Sequence, residues 1–212
     1  EAGINKAFQR VQSISMDVAD HHDVQQKIKT AVEKFGVPDL LINSAGVSSA
    51  GCFENISYDQ FDQCMKINVY GTRNTVGAIL PYMKQKGCGH IVNISSMAGL
   101  IGMFGYSSYC TTKYALVGFS ECLRGELKRY NIQVTLVCPP EVKTPFIEKE
   151  AAALPAESRA VKSLAGLLTP EAVARAIVRG VKNGKFLIVP GFAAKSLYFW
   201  HRVSNGFLTR MP

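Results

Sequence analysis

Long apolar runs are missing from this 212-residue sequence: none reaches the ~18 to 20 residues that a membrane-crossing helix needs. The first residues also lack the charged and apolar stretches of a secretory leader. Cysteine is sparse and unpatterned. Cys52, Cys64, Cys88, Cys110, Cys122 and Cys138 include no C-x-x-C pair and no His cluster stands at ligand spacing, so neither a zinc site nor a bridged framework is suggested and no metal is expected. Reduced thiols fit a cytoplasmic setting. Repeats, low-complexity tracts and Pro/Gly/Ser linkers are absent too, so residues 1–212 read as one domain. Acidic residues vanish after Glu171, while Arg175, Arg179, Lys182, Lys185, Lys195, Arg202 and Arg210 remain; the net charge of +8 is therefore largely a C-terminal property. A basic end suits nucleic acid, a membrane surface or a phosphorylated cofactor. With no basic recognition helix and no aromatic stacking platform, nucleic acid is not expected.

What is present is 47% hydrophobic residues in two alternating patterns, enough for a sizeable core. Val11 to Met16, Asp39 to Asn43, His90 to Ser95, Gln133 to Cys138 and Phe186 to Val189 read as short strands. Most show no polar alternation, as befits strands buried on both faces of a parallel sheet. Between the first two, Val24, Ile28, Ala31, Val32 and Phe35 recur at helical spacing, with Asp20 as N-cap and Gly36 and Pro38 as stops. Ser57 with Gln60 resembles a capping box opening a long helix through Leu80. Another helix covers roughly 106–130, and a fourth opens with Thr169 and Pro170 and closes at Asn183 and Gly184. The β-α-β-α order implies a doubly wound α/β fold with a parallel, Rossmann-like sheet.

Ligands bind beyond the carboxyl ends of such strands, and polar residues gather there. The second strand runs into Asn43-Ser44-Ala45-Gly46, the third into Ser95-Ser96, and the fourth into Pro139-Pro140-Glu141-Val142-Lys143-Thr144. Tyr109 and Lys113 stand at i and i+4 on the helix that follows Ser96, which brings an ammonium near a phenol. A phenol with an ordinary pKa of ≈ 10 is a poor acid-base group at neutral pH, and an adjacent cation moves it towards the working range. A solvated helical face explains a lone Y-x-x-x-K equally well. This one has company: Ser96 lies thirteen residues upstream and Asn68 lies within the preceding helix.

Asp17-Val18, Asn43 to Gly46, Asn68-Val69-Tyr70-Gly71, Ile94-Ser95-Ser96, Tyr109 to Lys113 and Pro139 to Thr144 stand in the order and spacing of the short-chain dehydrogenase/reductase family, which the chain resembles from about Val11 to Val189. The resemblance implies hydride transfer between a nicotinamide and a ketone or secondary alcohol. Tyr109 would exchange the proton with the substrate oxygen, Lys113 would lower the phenol's pKa and hold the nicotinamide ribose, and Ser96 would hydrogen-bond the substrate oxygen. Asn68 would kink its helix and hold a water that relays protons to Lys113. A hydroxyl cap for Ser96 and a packing amide for Asn68 are the plainer readings of those two residues. Asp17 and Val18 would flank the adenine, Asn43, Ala45 and Gly46 would allow close approach of the dinucleotide, and Val142 and Thr144 would bind the carboxamide. Pro139-Pro140 departs from the family's usual Pro-Gly and removes an N–H, which implies a reshaped pocket.

The glycine-rich strand-to-helix turn of the family is missing, and with it the β-α-β unit of roughly 30 or more residues that cradles the phosphates. A parallel sheet without its centre would expose edges and disconnect the Val11 strand, so native residues are expected ahead of Glu1. That unit also reads the adenosine ribose; the resemblance favours NADP and leaves NAD open. Residues 145–168 occupy the position of a substrate-covering lid. Residues 192–212 form a basic amphipathic segment, with Phe199, Trp200, Val203 and Phe207 on one side and Lys195, His201, Arg202 and Asn205 on the other. Such a stripe suits contact with a membrane surface, and it suits docking on the domain or a second subunit. This tail and the Pro-Pro loop resemble the 3-ketodihydrosphingosine reductase branch, which implies a lipophilic ketone as substrate. The family also implies a homo-oligomer, dimer or tetramer, paired through helices at 58–83 and 106–130. A nucleotide-binding regulatory protein without turnover is the competing reading, and the intact set Asn68, Ser96, Tyr109 and Lys113 argues against it.

Overall fold

The computed structural model describes residues 10–145 and 164–204. Helix α1 (His21–Phe35) starts where the Asp20 carboxylate accepts the backbone N–H groups of His22 and Asp23, at 2.8 and 3.1 Å, and stops at Gly36 with φ 83°. Those two bonds hold the Asp20 carboxyl below its usual range. After β1 (Leu40–Asn43) the Ser57–Gln60 capping box opens α2 (Tyr58–Cys64). A π-helical turn over Met65–Tyr70 then leads without a break into α3 (Gly71–Lys86), so the long helix expected from periodicity is a rod with one widened turn. Gly87, left-handed at φ 74°, ends it and turns the chain into β2 (Gly89–Ile94). The remaining elements are α4 (Ser107–Leu127), β3 (Ile132–Val137), β4 (Glu141–Val142), β5 (Leu167–Leu168), α5 (Pro170–Lys182), β6 (Leu187–Ile188) and α6 (Phe192–Val203).

The main sheet is parallel throughout in the order β1-β2-β3-β6, and β4 pairs with β5 in a separate two-stranded ladder. Strand pleating splits the core into two layers. Ile91, Ile132 and Val134 pack against Val76, Ile79 and Met83 of α3 and Leu123 and Leu127 of α4, with Ile28 and Val32 of α1 at the margin. Val92, Val137 and Ile188 face the other way, against Ala176, Ile177 and Val181 of α5. Gly180 makes that second contact close, because a Cβ there would run into the Ile188 side chain.

A pair of amides, Asn93 buried and Asn43 half-buried, ties the strands to the helices. Asn43 and Asn93 are register partners on β1 and β2, and Asn43 Nδ2 donates to Asn93 Oδ1 at 2.8 Å. Thr75 of α3 donates to Asn43 Oδ1 at 2.7 Å, and Asn93 Nδ2 donates to Ser120 of α4 at 2.9 Å.

Two expectations need correction. Val11–Met16 forms no strand: the stretch is irregular, Val11 and Ile14 are exposed, and no described segment pairs with it. A strand is held by its ladder, so a β-compatible sequence without a partner stays irregular. Helix α6 does not divide into the two faces read from its sequence. It docks through Ala194, Leu197 and Tyr198 against Val189 and Met97, while Phe192, Phe199, Trp200 and Val203 face outward. Phe207 and Asn205 lie outside the described residues, as does the lid except for Pro145 and residues 164–168. Among the described residues no helix is long and apolar enough to cross a membrane, and no three His, Cys, Asp or Glu side chains gather as metal ligands.

Replacing Asn93 by Ala leaves the Asn43 amide without its acceptor and Ser120 without its donor. The expected loss is about 1–3 kcal/mol of stability, read as a lower urea midpoint at constant m; an unchanged midpoint would refute the bridging role.

Candidate active site

At the carboxyl end of the sheet the ladder continues past β2, since Ser95 N–H donates to the Val137 carbonyl at 2.8 Å and Met97 N–H to that of Pro139 at 2.9 Å. Ser96 is thereby held extended between two anchored neighbours, at φ −164° and ψ 165°. Its hydroxyl accepts the Ala98 N–H at 3.1 Å and caps the short turn Met97–Gly99. The cap uses a lone pair and leaves the O–H proton to be donated, so the capping role and a role towards a ligand are compatible.

That turn lies against α4. A Cβ at Gly99 would sit 2.6 Å from the Lys113 carbonyl oxygen and 2.5 Å from Ser95 Oγ, so the two backbones meet where only glycine fits. Lys113 is 5% exposed. Its Nζ donates to the Ile94 carbonyl at 3.0 Å and lies 5.4 Å from the centroid of the Tyr109 ring. Burial pulls its pKa down to about 8. No described carboxylate forms an ion pair with it. The Cys138 thiol, pushed up to about 12 by burial, stays neutral beside it. A buried cation that no described carboxylate neutralises, lying near a phenol ring, favours phenolate character in that phenol.

Gly46, Ser96, Tyr109, Lys113, Pro139, Val142 and Thr144 all line one cavity of about 280 Å³. Its other walls are mainly apolar, with Met97, Ile101 and Met103 after β2, Tyr106 at the N-cap of α4, Ala165, and Leu197 of α6, beside the polar Ser44, Ser95 and Glu141. The motifs carry no sign of these walls, because Ala165 and Leu197 reach the cavity only through the docking of distant segments. Asn68 lies behind the cavity, fully buried in the π-turn. Its carboxamide is spent on Val47 N–H (2.8 Å), Val47 carbonyl (2.9 Å) and Thr112 Oγ1 (2.9 Å). Its backbone carbonyl accepts a bond from Thr72 Oγ1 at 2.9 Å. Four expected dinucleotide contacts do not line the cavity. The Asn43 side chain is engaged with Asn93 and Thr75, and Ala45 is exposed in its loop. Asp17 accepts the Ala19 N–H, and Val18 packs on Gly71 and accepts from Asn74.

The cavity fits the nicotinamide end of a dinucleotide. A Cβ at Gly46 would fall 3.2 Å from Asn68 Oδ1 and 3.7 Å from Lys113 Nζ, so bare backbone borders the ammonium that would hold ribose hydroxyls. Val142 and Thr144, expected to bind the carboxamide, line the same cavity.

Lys113 also sets a pH dependence of stability. Its folded pKa of about 8 lies below the ordinary value of 10.5, so between those values the unfolded chain binds the extra proton and stability rises with pH. The burial penalty, about 3 kcal/mol, is fully present below pH 8 and relieved by about pH 10.5. Denaturation across that window should show the stability gap between the wild type and Lys113→Met changing in favour of the wild type by about that amount, with the Cys138 thiol acting alike in both; a constant gap would exclude the effect.

The short chain dehydrogenase family profile matches residues 2–155. The 3-ketodihydrosphingosine reductase of Bos taurus is 40% identical over 179 residues, 84% of this chain and 54% of that protein; the chain spans about half the length of the curated relatives it matches. A Burkholderia phymatum short-chain dehydrogenase/reductase, solved in complex with NAD, superposes with a TM-score of 0.82 at 25% identity over 97% of this chain and 79% of that one. ElxO with NADP bound superposes at 0.75 and 26%, over 86% and 77%. The chain therefore belongs to the short-chain dehydrogenase/reductase family, in which it is similar to the 3-ketodihydrosphingosine reductases.

Proposed function

We propose that the protein is an NAD(P)H-dependent reductase of a lipophilic ketone, with a long-chain 3-keto lipid as the substrate class. The observation that carries the reading is the buried Lys113, without an ion-pair partner among the described residues, beneath Tyr109 in a mainly apolar cavity that also holds the Ser96 hydroxyl. Bound dinucleotide supplies the hydride in reduction and accepts it in oxidation. Ser96 donates to the substrate oxygen as negative charge grows on it. Tyr109 gives that oxygen its proton, and the Lys113 ammonium beside the ring stabilises the phenolate left behind. The Asn68 carbonyl holds the water through which Lys113 and the phenolate regain a proton. The cavity walls exclude bulk water and favour alkyl chains over polar groups. NADP is preferred over NAD because the chain is basic and the similar ElxO is solved with NADP bound.

The protein works at the cytoplasmic face of a membrane, with the outward Phe192, Phe199, Trp200 and Val203 of α6 resting at the lipid interface beside Lys195 and Arg202. It acts as a homo-oligomer paired through α3 and α4, a mode suggested by the family resemblance.

Oxidation of NADPH and NADH by the full-length protein, followed by absorbance with ketones from short to long chain, tests the activity. Turnover should rise with chain length, and Tyr109→Phe should lower kcat by about 100-fold or more. The ratio kcat/KM should fall as the pH rises through about 8, where Lys113 loses its charge. Dinucleotide binding with no turnover above the Tyr109→Phe background would favour the silent regulatory protein, and no dinucleotide binding would end the assignment.

A further inference from the structure

Thr112 takes no part in the chemistry just described, yet both bonds of its buried hydroxyl are committed. It accepts one N–H of the Asn68 carboxamide at 2.9 Å and donates its own proton to the Tyr109 carbonyl, one turn back, at 2.8 Å. The other N–H of Asn68 and its Oδ1 are used on Val47, so Thr112 is the acceptor that completes the amide's bonding. The next residue is held from the opposite side: Ser95 Oγ donates to the Lys113 carbonyl at 2.9 Å, and Gly99 packs against the same carbonyl. The turn from Tyr109 to Lys113 is thus gripped at two consecutive residues, by the π-turn and by the end of β2.

We propose that Thr112 is a positioning residue, whose hydroxyl couples Asn68 and the loop after β1 to the carbonyl of Tyr109 and so sets the phenol relative to Lys113 and Ser96. A hydroxyl bonded back into its own helix brings no general advantage to the helix; the bond to Asn68 is what gives it a use. The inference rests on the ketone-reductase reading. Serine keeps both bonds, valine keeps the shape without either, and alanine removes the bonds and the bulk.

The test compares the wild type with Thr112→Ser, Thr112→Val and Thr112→Ala by kcat, KM, the pH profile of kcat, and exchange of the Asn68 side-chain amide protons by NMR. Thr112→Ser should keep kcat within about twofold, while Thr112→Val and Thr112→Ala should lose roughly 10- to 100-fold in kcat, the scale of a small misplacement of a reacting group. In those two the KM for the ketone should hold, the pH profile should shift, and the Asn68 amide should exchange faster. A role in stability alone would lower the melting temperature and leave the pH profile in place. Folded Thr112→Val with wild-type kcat and pH profile would overturn the proposal, and so would Thr112→Ser losing as much as Thr112→Val. A wild type inactive on every ketone would overturn the ketone-reductase reading itself, and this inference with it; slow amide exchange in that wild type would still separate an intact Thr112–Asn68 link from an absent one.

Discussion

A costly arrangement at the centre of the site is the Lys113 ammonium, buried without an ion-pair partner among the described residues. Charge in such a place is tolerated only when backbone dipoles and a ligand-facing group share it. Here the Ile94 carbonyl takes one N–H and the π-face of Tyr109 lies close by. Much of the surrounding structure keeps this arrangement in place. The sheet ends in register so that Ile94, Ser95 and Ser96 point where they do, α4 presses on the following turn at Gly99, and Cys138 adds a neutral neighbour. An apolar group at position 113 would cost less to bury and would do nothing to a phenol.

Side-chain amides make the rigidity that this charge requires. Asn43 and Asn93 lock β1 to β2 and reach α3 and α4. Asn68, exposed to the loop after β1 by the widened π-turn, stitches that loop to α4. Buried amides work here because nearly every donor and acceptor finds a partner. The small residues between them are equally physical: Gly46, Gly71 and Gly99 each stand where a Cβ would press on a side chain or backbone.

The outer surface divides unevenly. One face of the sheet is covered by α1, α3 and α4, and the other by α5 alone among the described residues, so Leu40 and Ile42 of β1 remain exposed. On α6, Ala194, Leu197 and Tyr198 complete the core beside the cavity while the aromatic stripe next to them faces outward. The wall of the cavity and the apolar surface thus belong to the same helix.

Local physics was readable in the residues alone. Asp20, the Ser57–Gln60 pair and Thr169-Pro170 mark helix starts because capping is decided within four residues. Tyr109 and Lys113 share a face because helical spacing requires it, and most strands announce themselves by apolar runs. The failures came where a partner distant in sequence decides. Val11–Met16 has the composition of a strand and no ladder to join among the described residues. The orientation of α6 was settled by the fit of Leu197 and Tyr198 against Met97 and Val189. The bonds of Asn43, Asn68 and Thr112 span up to 50 residues of chain. Residue types and short-range spacing determined which groups of this protein can do chemistry, because caps, periodicity and side-chain functionality are local. Tertiary structure alone decided which of them share a cavity, which are buried as struts and how far a lysine's pKa falls, because desolvation and hydrogen-bond partnership depend on what the rest of the chain brings alongside.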